Sequence, residues 1–192
     1  MNPPEAIETA RLSLRRPDPE RDAPVMLARW ASDPEVTRFL LWPTYHPEDV
    51  ASAASFLAGC VANWEADVGH RPWMLVPRGD PAGAPIGMIG VTPHAAHMAE
   101  VGYVMARASW GQGLMGEAAR AVVLALFADP AVWRVFAPAH VLNRRSHRVL
   151  EKAGMFREGT LRRHLVYANL GPEPQDSALF AVTRDDLGSQ SP

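Results

Sequence analysis

An α/β domain built on a mixed sheet of about seven strands is what the sequence predicts, on three observations. Strand-like and helix-like segments interleave along the whole chain, with no linker, internal repeat or low-complexity stretch between them. The 192 residues are 47% hydrophobic and 21% charged, ordinary usage for one domain with one sizeable core. An alternating apolar segment, Val101 to Met105, also passes through Gly111, Gly113 and Gly116 into a helical-looking run, Ala118 to Ala128.

Each element has its own signal. Arg11-Leu12-Ser13-Leu14-Arg15 alternates polar and apolar residues, the period of a half-buried strand, and reads as the first strand. Pro17 to Glu20 offers a start signal for a helix over Arg21 to Ala31, which Asp33-Pro34 stops. Glu35 to Leu41 reads as a short helix, and Trp42-Pro43-Thr44-Tyr45-His46-Pro47 is too rich in proline to continue it. Pro47-Glu48-Asp49 opens a second clear helix reaching to near Asp67. On it Phe56, Leu57, Cys60, Val61 and Trp64 recur every three or four residues, so Cys60 faces the core. Trp73 to Val76 and Ile86 to Val91 form a hairpin around the turn-rich Gly79 to Gly83, and Met98 to Met105 is the next strand.

Beyond the glycines, a helix over Gly116 to Ala128 leads to a strand over Trp133 to Pro138. Pro138 cannot donate to a ladder, so it marks an edge, a bulge or a place where two strands have parted. Asn143 to Ala153 is a helix, with Gly154 as its left-handed terminator. Phe156 to Leu170 and Ser177 to Arg184 are the last two strands, and the tail from Gly188 is expected to fray.

Several function classes are disfavoured. A net charge of −2 gives no electrostatic footprint for nucleic acid. A single cysteine cannot form an internal disulfide, and a reducing cytosol is the simplest setting. The most apolar window, Ala118 to Ala128, is interrupted by Arg120 and falls short of the roughly 20 residues that span a bilayer. No charged-then-apolar leader opens the chain, so a soluble cytoplasmic protein without membrane contact is expected. His94 and His97 have a metal-compatible spacing but lack a third convergent ligand, so they read as exposed loop histidines and no metal is expected. Oligomeric state is not encoded, and a homodimer stays open.

The chemistry concentrates in Trp110-Gly111-Gln112-Gly113-Leu114-Met115-Gly116-Glu117-Ala118. A strand that passes through three close glycines into a helix leaves the first-turn N–H groups unpaired and aimed together, an anion cradle. The spacing also satisfies the dinucleotide fingerprint. That fingerprint needs a turn directly after the strand and an acid closing the next one for the ribose hydroxyls. Here Arg107 to Trp110 intervene, and the next apolar run ends in His140-Val141-Leu142-Asn143 with no acid. In isolation the motif reads better as a helix packed closely through its glycines.

Further segments remove the isolation. Asn143-Arg144-Arg145-Ser146-His147-Arg148-Val149-Leu150-Glu151-Lys152-Ala153-Gly154-Met155-Phe156 follows the next strand, and Ala99-Glu100-Val101-Gly102-Tyr103 precedes the cradle. With the opening Thr9-Ala10-Arg11-Leu12-Ser13-Leu14-Arg15 and the closing Asp176-Ser177, the sequence resembles the GNAT acetyltransferase superfamily, in its RimJ/RimL-like branch, from about Ile7 to Arg184. The resemblance implies a mostly antiparallel mixed sheet with helices on both faces. It also implies a splay between the fourth and fifth strands where the acyl-CoA arm lies, with Pro138 on the gap side of the fifth. The implied activity is acetyl-CoA-dependent N-acetylation of a primary amine, a protein N-terminal α-amine, by direct attack in a ternary complex. Small-molecule amines such as aminoglycosides or amino-acid derivatives are a second acceptor class, and a non-catalytic acyl-CoA sensor is a second kind of protein. A nicotinamide-binding enzyme comes last.

The same resemblance assigns residues. The family's pyrophosphate loop aligns with Trp110 to Met115; Gly113 matches, while Trp110 and Met115 depart from its polar first and small last positions. Anchoring then rests on the backbone N–H groups of Gln112, Gly113, Leu114, Met115 and Gly116, with a contribution from Arg107 open. Asn143 and Ser146 fall at the family's positions beside the pantetheine arm. Ser146 is a proton donor to the departing thiolate or, equally, a helix-start residue satisfying an orphan N–H. Arg144, Arg145 and Arg148 meet the nucleotide phosphate or form a solvated face. Glu100, a carboxylate on the central strand before the cradle, is the leading general base and an acceptor-binding residue, against a plain surface salt bridge. Tyr167 and Asp176 are alternatives for the base. Trp42, Tyr45 and His46 are expected to wall the acceptor pocket.

Overall fold

Residues 1–80 and 82–188 are described by the computed structural model, and their strands fall into one sheet. The strands are β1 (Ala6–Glu8), β2 (Leu12–Arg15), β3 (Arg71–Pro77), β4 (Gly87–Ala95), β5 (Met98–Met105), β6 (Arg134–His140), β7 (Phe156–Val166) and β8 (Pro174–Thr183). Their spatial order is β1-β2-β3-β4-β5-β6-β8-β7. Neighbours run antiparallel except β5 and β6, so the sheet is mixed and mostly antiparallel, as the resemblance implies. The strand beyond the expected seven is β1, three residues pairing Ala6 with Arg15, too short to show an alternation.

Six α-helices are α1 (Pro19–Met26), continued by a π-helical turn over Leu27–Ala31, α2 (Pro34–Thr37), α3 (Val50–Ala66), α4 (Leu114–Phe127), α5 (Arg144–Lys152) and α6 (Arg184–Gly188) among the described residues. Aspartates cap three of them: Asp18 accepts from Arg21 N–H, Asp33 from Glu35 N–H, and Asp49 from Ser52 N–H. The third cap moves the expected start of the second long helix from Pro47 to Asp49. Of the tail expected to fray from Gly188, Gly188 itself closes α6, and 189–192 lie outside the described residues.

Strand alternation divides the molecule into two cores. Ala99, Val101 and Tyr103 of β5, with Val135, Ala137 and Ala139 of β6, pack toward the core containing Leu114, Ala118 and Val122 of α4 and Leu150 of α5. Met74, Met88 and Val104 pack toward Ala23, Met26, Ala53 and Leu57 of α1 and α3. Glu100, Phe136, Pro138 and His140 therefore belong to the α1–α3 face. Cys60 is buried in α3 as expected, and burial pushes its thiol up to about 12, which keeps it unreactive.

One seam of the sheet opens. The parallel pairing of β5 with β6 runs from Met98–Arg134 to Glu100–Phe136 and stops, although both strands continue. Arg134 N–H points to His97 O across this seam at 3.1 Å, and Val141 N–H points to Asp176 O on the β8 side at 3.2 Å. The two-residue alternation then turns the nitrogen of Pro138 into the gap, where no neighbour waits for a hydrogen. On β5, Ala106 N–H bonds Ile86 O on the β4 side, so the N–H groups of Val101 and Tyr103 face β6; that of Val101 closes the last rung at Phe136, and that of Tyr103 faces the gap.

Candidate active site

A cavity of about 880 Å³ runs through the opened seam, lined on one side by the glycine turn and α5 and on the other by α2 and the residues after it. Its cradle is shaped by backbone conformation. Gly111 and Gly113 adopt φ of +78° and +76°, the left-handed region that a Cβ disfavours. The first intrahelical bond of α4 is donated by Glu117 N–H to Gly113 O at 3.1 Å. Leu114, Met115 and Gly116 precede it, so their N–H groups are the orphans of the first turn, and all three residues line the cleft. A Cβ on Gly116 would come within 3.3 Å of Lys152 Cβ, so this glycine also lets α5 approach α4.

The cradle is held from behind by the turn between β1 and β2. Glu117 accepts from Thr9 Oγ1 at 2.6 Å, Arg11 N–H at 2.9 Å and Arg11 Nε at 2.7 Å, and Arg11 Nη1 donates to Gln112 O at 2.9 Å. Desolvation pushes the Glu117 carboxyl up, but the bonds from Thr9 and Arg11 together outweigh it and hold the group below its ordinary value. Gln112 is accordingly turned away: its side chain donates to Ala108 O, and it does not line the cleft.

Asn143 caps α5 by accepting from Ser146 N–H at 3.2 Å. Ser146 is thus a capped residue, which corrects the reading in which it is the cap. Its Oγ lies 2.8 Å from Tyr103 Oη, and Tyr103 Oη also lies 3.1 Å from Ser146 O, to which it can donate. Burial raises Tyr103 well above the ordinary phenol value, against the opposing bond with Ser146, so it stays protonated. When Tyr103 donates to Ser146 Oγ, the serine proton is left free for a group in the cleft.

On the α1–α3 face, Glu100 occupies the last paired rung before the gap. His94 Nε2 stands 2.8 Å from Glu100 Oε2, with the two side chains 44% and 28% exposed. His94 lies in β4 and not in a loop, and its ring meets Phe136 edge-on at 5.1 Å. Deeper along β6, His140 stacks on Phe39 at 4.7 Å and meets Tyr167 edge-on at 4.7 Å. Its Nδ1 accepts from Leu142 N–H at 3.1 Å, which leaves the ring proton on Nε2. Burial, then the charge of Arg38, holds His140 below its ordinary value, so the ring is neutral at neutral pH.

Some expected residues lie elsewhere. Trp42 and Tyr45 meet edge to face around a separate cavity of about 50 Å³ with Met26 and Phe56, because the loop they occupy closes over the α1–α3 core. His46 is exposed and accepts from Glu48 N–H, so none of the three walls the large cleft; Glu35, Arg38, Phe39, Leu40 and Leu41 do. Arg107 is engaged by Asp33 at 3.1 Å, and Arg145 by Glu35 at 3.3 Å while its guanidinium covers Trp110 at 4.5 Å. Asp176 accepts from Arg163 N–H, and Tyr167 Oη is 2.9 Å from Ser177 Oγ, which occupies both alternative bases.

The model of the acetyltransferase (GNAT) domain family matches residues 11–156. The chain belongs to that family. As a GNAT acetyltransferase it is similar to YoaA of Bacillus subtilis (strain 168), described as an uncharacterised N-acetyltransferase, at 29% identity over 93% of this chain and 96% of the relative. Its fold superposes on Mycobacterium smegmatis RimJ in complex with CoA-disulfide at a TM-score of 0.81, with 23% identity over 97% of this chain and 92% of that one. RimL, a ribosomal L7/L12 α-N-protein acetyltransferase in complex with coenzyme A, superposes at 0.80 with 17% identity over 95% and 99%. Within the acetyltransferase, sequence reasoning missed Tyr103, His94 and His140 as site residues. Tyr103 stood inside the quoted strand motif, and its odd-numbered phase opposite Glu100 places it on the α4–α5 face. Nothing in the local sequence marks His140, whose partners Phe39 and Tyr167 come from distant segments.

Proposed function

We propose that this acetyltransferase moves an acetyl group from acetyl-CoA to a protein N-terminal α-amine, by direct attack in a ternary complex. One observation carries the reading: the gap between β5 and β6 joins two chemically distinct faces. The α4–α5 face presents orphan N–H groups, Tyr103 and Ser146, and the α1–α3 face presents a carboxylate paired with a histidine. The residues fit acetyl-CoA in that a glycine cradle without side chains suits a pyrophosphate, and Arg144 and Arg148 line the same side for further phosphate. When bound, the thioester supplies the activated acetyl carbonyl.

The chain's own groups supply the proton handling. Glu100 Oε2 is held by His94, and Oε1 is left to take a proton from the acceptor ammonium, which the exposed His94 can pass to solvent. Ser146, oriented by Tyr103 and by its capped N–H, donates to the thiolate as it departs. Calorimetry with acetyl-CoA and CoA, followed by an acetylation screen over N-terminal peptides and small amines, tests the reading. Acetylated peptides support it. Turnover confined to small amines would replace the acceptor, and CoA binding without turnover on any amine would make the chain a sensor.

A further inference from the structure

Most arginines of this chain are engaged: Arg15 by Asp22, Arg134 by Glu158, Arg107 by Asp33, Arg145 by Glu35, and Arg21 and Arg29 by loop carbonyls. Three that line the cleft, Arg38, Arg144 and Arg148, have neither an acid nor a carbonyl partner among the described residues. A guanidinium stays charged at any working pH and seeks a planar anion. Arg144 and Arg148 stand on α5, the helix that abuts the cradle, where donor phosphates account for them. Arg38 stands on the opposite side. It follows α2, its guanidinium covers the Phe39 ring at 5.1 Å, and Phe39 stacks on His140 of the α1–α3 face. That side of the cleft therefore carries one carboxylate not held by an arginine, Glu100, suited to an ammonium, Glu35 being taken by Arg145, and one unpaired cation with no donor group to answer it.

We propose that Arg38 reads an anion on the acceptor, so that the site selects amines bearing a nearby carboxylate or phosphate. This rests on the protein N-terminus reading, under which the preferred acceptor is a chain start with Asp or Glu among its first residues. Phe39 and His140 fix where the guanidinium lies: its contact with the Phe39 ring holds it over that face, and the neutral imidazole stacked on the same ring adds no competing positive charge. Arg38 is a specificity-determining residue, and Glu100 Oε1 answers the amine of the same molecule.

The test compares matched peptides, Ser-Glu and Ser-Gln at the N-terminus, together with an α-amino acid and its amide, on the full chain and on Arg38→Met and Arg38→Lys. The wild type should favour the acidic peptide by about tenfold in kcat/KM, carried by KM and weakened by salt, as a charge-assisted contact predicts. Arg38→Met should bring the two peptides level, Arg38→Lys should restore part of the preference, and the Kd for CoA should be the same in all three. No preference in the wild type, a preference that survives Arg38→Met, or a changed CoA Kd would each overturn the proposal. If only the amino acid and its amide are turned over, an Arg38-dependent preference for the acid keeps the inference and sinks the peptide reading. Peptides acetylated without Arg38-dependent discrimination do the reverse. Should turnover be absent, calorimetric binding of the two peptides to the CoA-loaded chain gives the same ranking, and equal affinities overturn it.

Discussion

Glu100 gives one oxygen to His94 and keeps the other in a cleft that it lines. An α-amine has an ordinary pKa of about 8 and must shed a proton before attacking, and a positioned base contributes about 10²–10⁴-fold. Glu100→Gln keeps the shape and removes the basicity, so kcat should fall most at neutral pH and recover partly as rising pH deprotonates the amine unaided. A pH–rate profile reads this directly; an equal loss at every pH would assign the carboxylate to holding the acceptor. The Ser146–Tyr103 pair permits a second test. Ser146→Ala should lower kcat with little change in the KM for acetyl-CoA, the mark of an interaction made mainly in the transition state. Tyr103→Phe should lower kcat less, since the serine keeps its hydroxyl and loses only the partner that orients it. Wild-type kcat in Ser146→Ala, where chemistry limits turnover, would leave Ser146 as a packing partner of Tyr103.

The turn between β1 and β2 is the element that keeps the cradle in place. Its Thr9-x-Arg11 pattern is part of the resemblance visible in sequence, yet its task is legible only when Glu117, 106 residues away from Arg11, arrives beside it. Because Glu117 is held below its ordinary value when folded, the clamp contributes stability above the unfolded-state pKa and loses it as pH falls through the lower folded value. Glu117→Gln should therefore melt below the wild type at neutral pH, the difference narrowing in acid, and should weaken CoA binding by freeing Arg11 from Gln112. Melting curves at pH 7 and pH 3 check the first part; a constant gap would mean the loss is one of shape and not of charge. Local periodicity did place β2, β5, α4 and α5, since each carries a strong apolar phase. It overran α2 because Arg38 to Leu41 look helical but line the cleft, and it misassigned His94 because a β-bulge at Pro93 and Ala95 hides the strand's end.

Taken as a whole, the molecule fastens the α2 side of its cleft at two ends. Asp33 and Glu35 tie the start of α2 to Arg107 and Arg145 on the cradle side. Asn169 ties the other end to the link between β7 and β8, accepting from Thr44 N–H and donating to Thr37 O and Trp42 O. This explains why Trp42 and Tyr45, plausible as pocket aromatics, serve as packing: the fastened loop turns them toward Met26 and Phe56. Long-range ties of this sort have no periodic signature, whereas the cradle, a local device, could be read from three glycines. The opened seam leaves its own trace in isotope exchange. The amide of Tyr103 is sheltered by side chains but has no strand to bond, and Pro138 opposite carries no amide at all, so the free protein should exchange deuterium at Tyr103 faster than at Gly102 and Val104, which bond β4. CoA filling the gap should slow Tyr103 selectively, reporting occupancy from the middle of the sheet with no need for turnover.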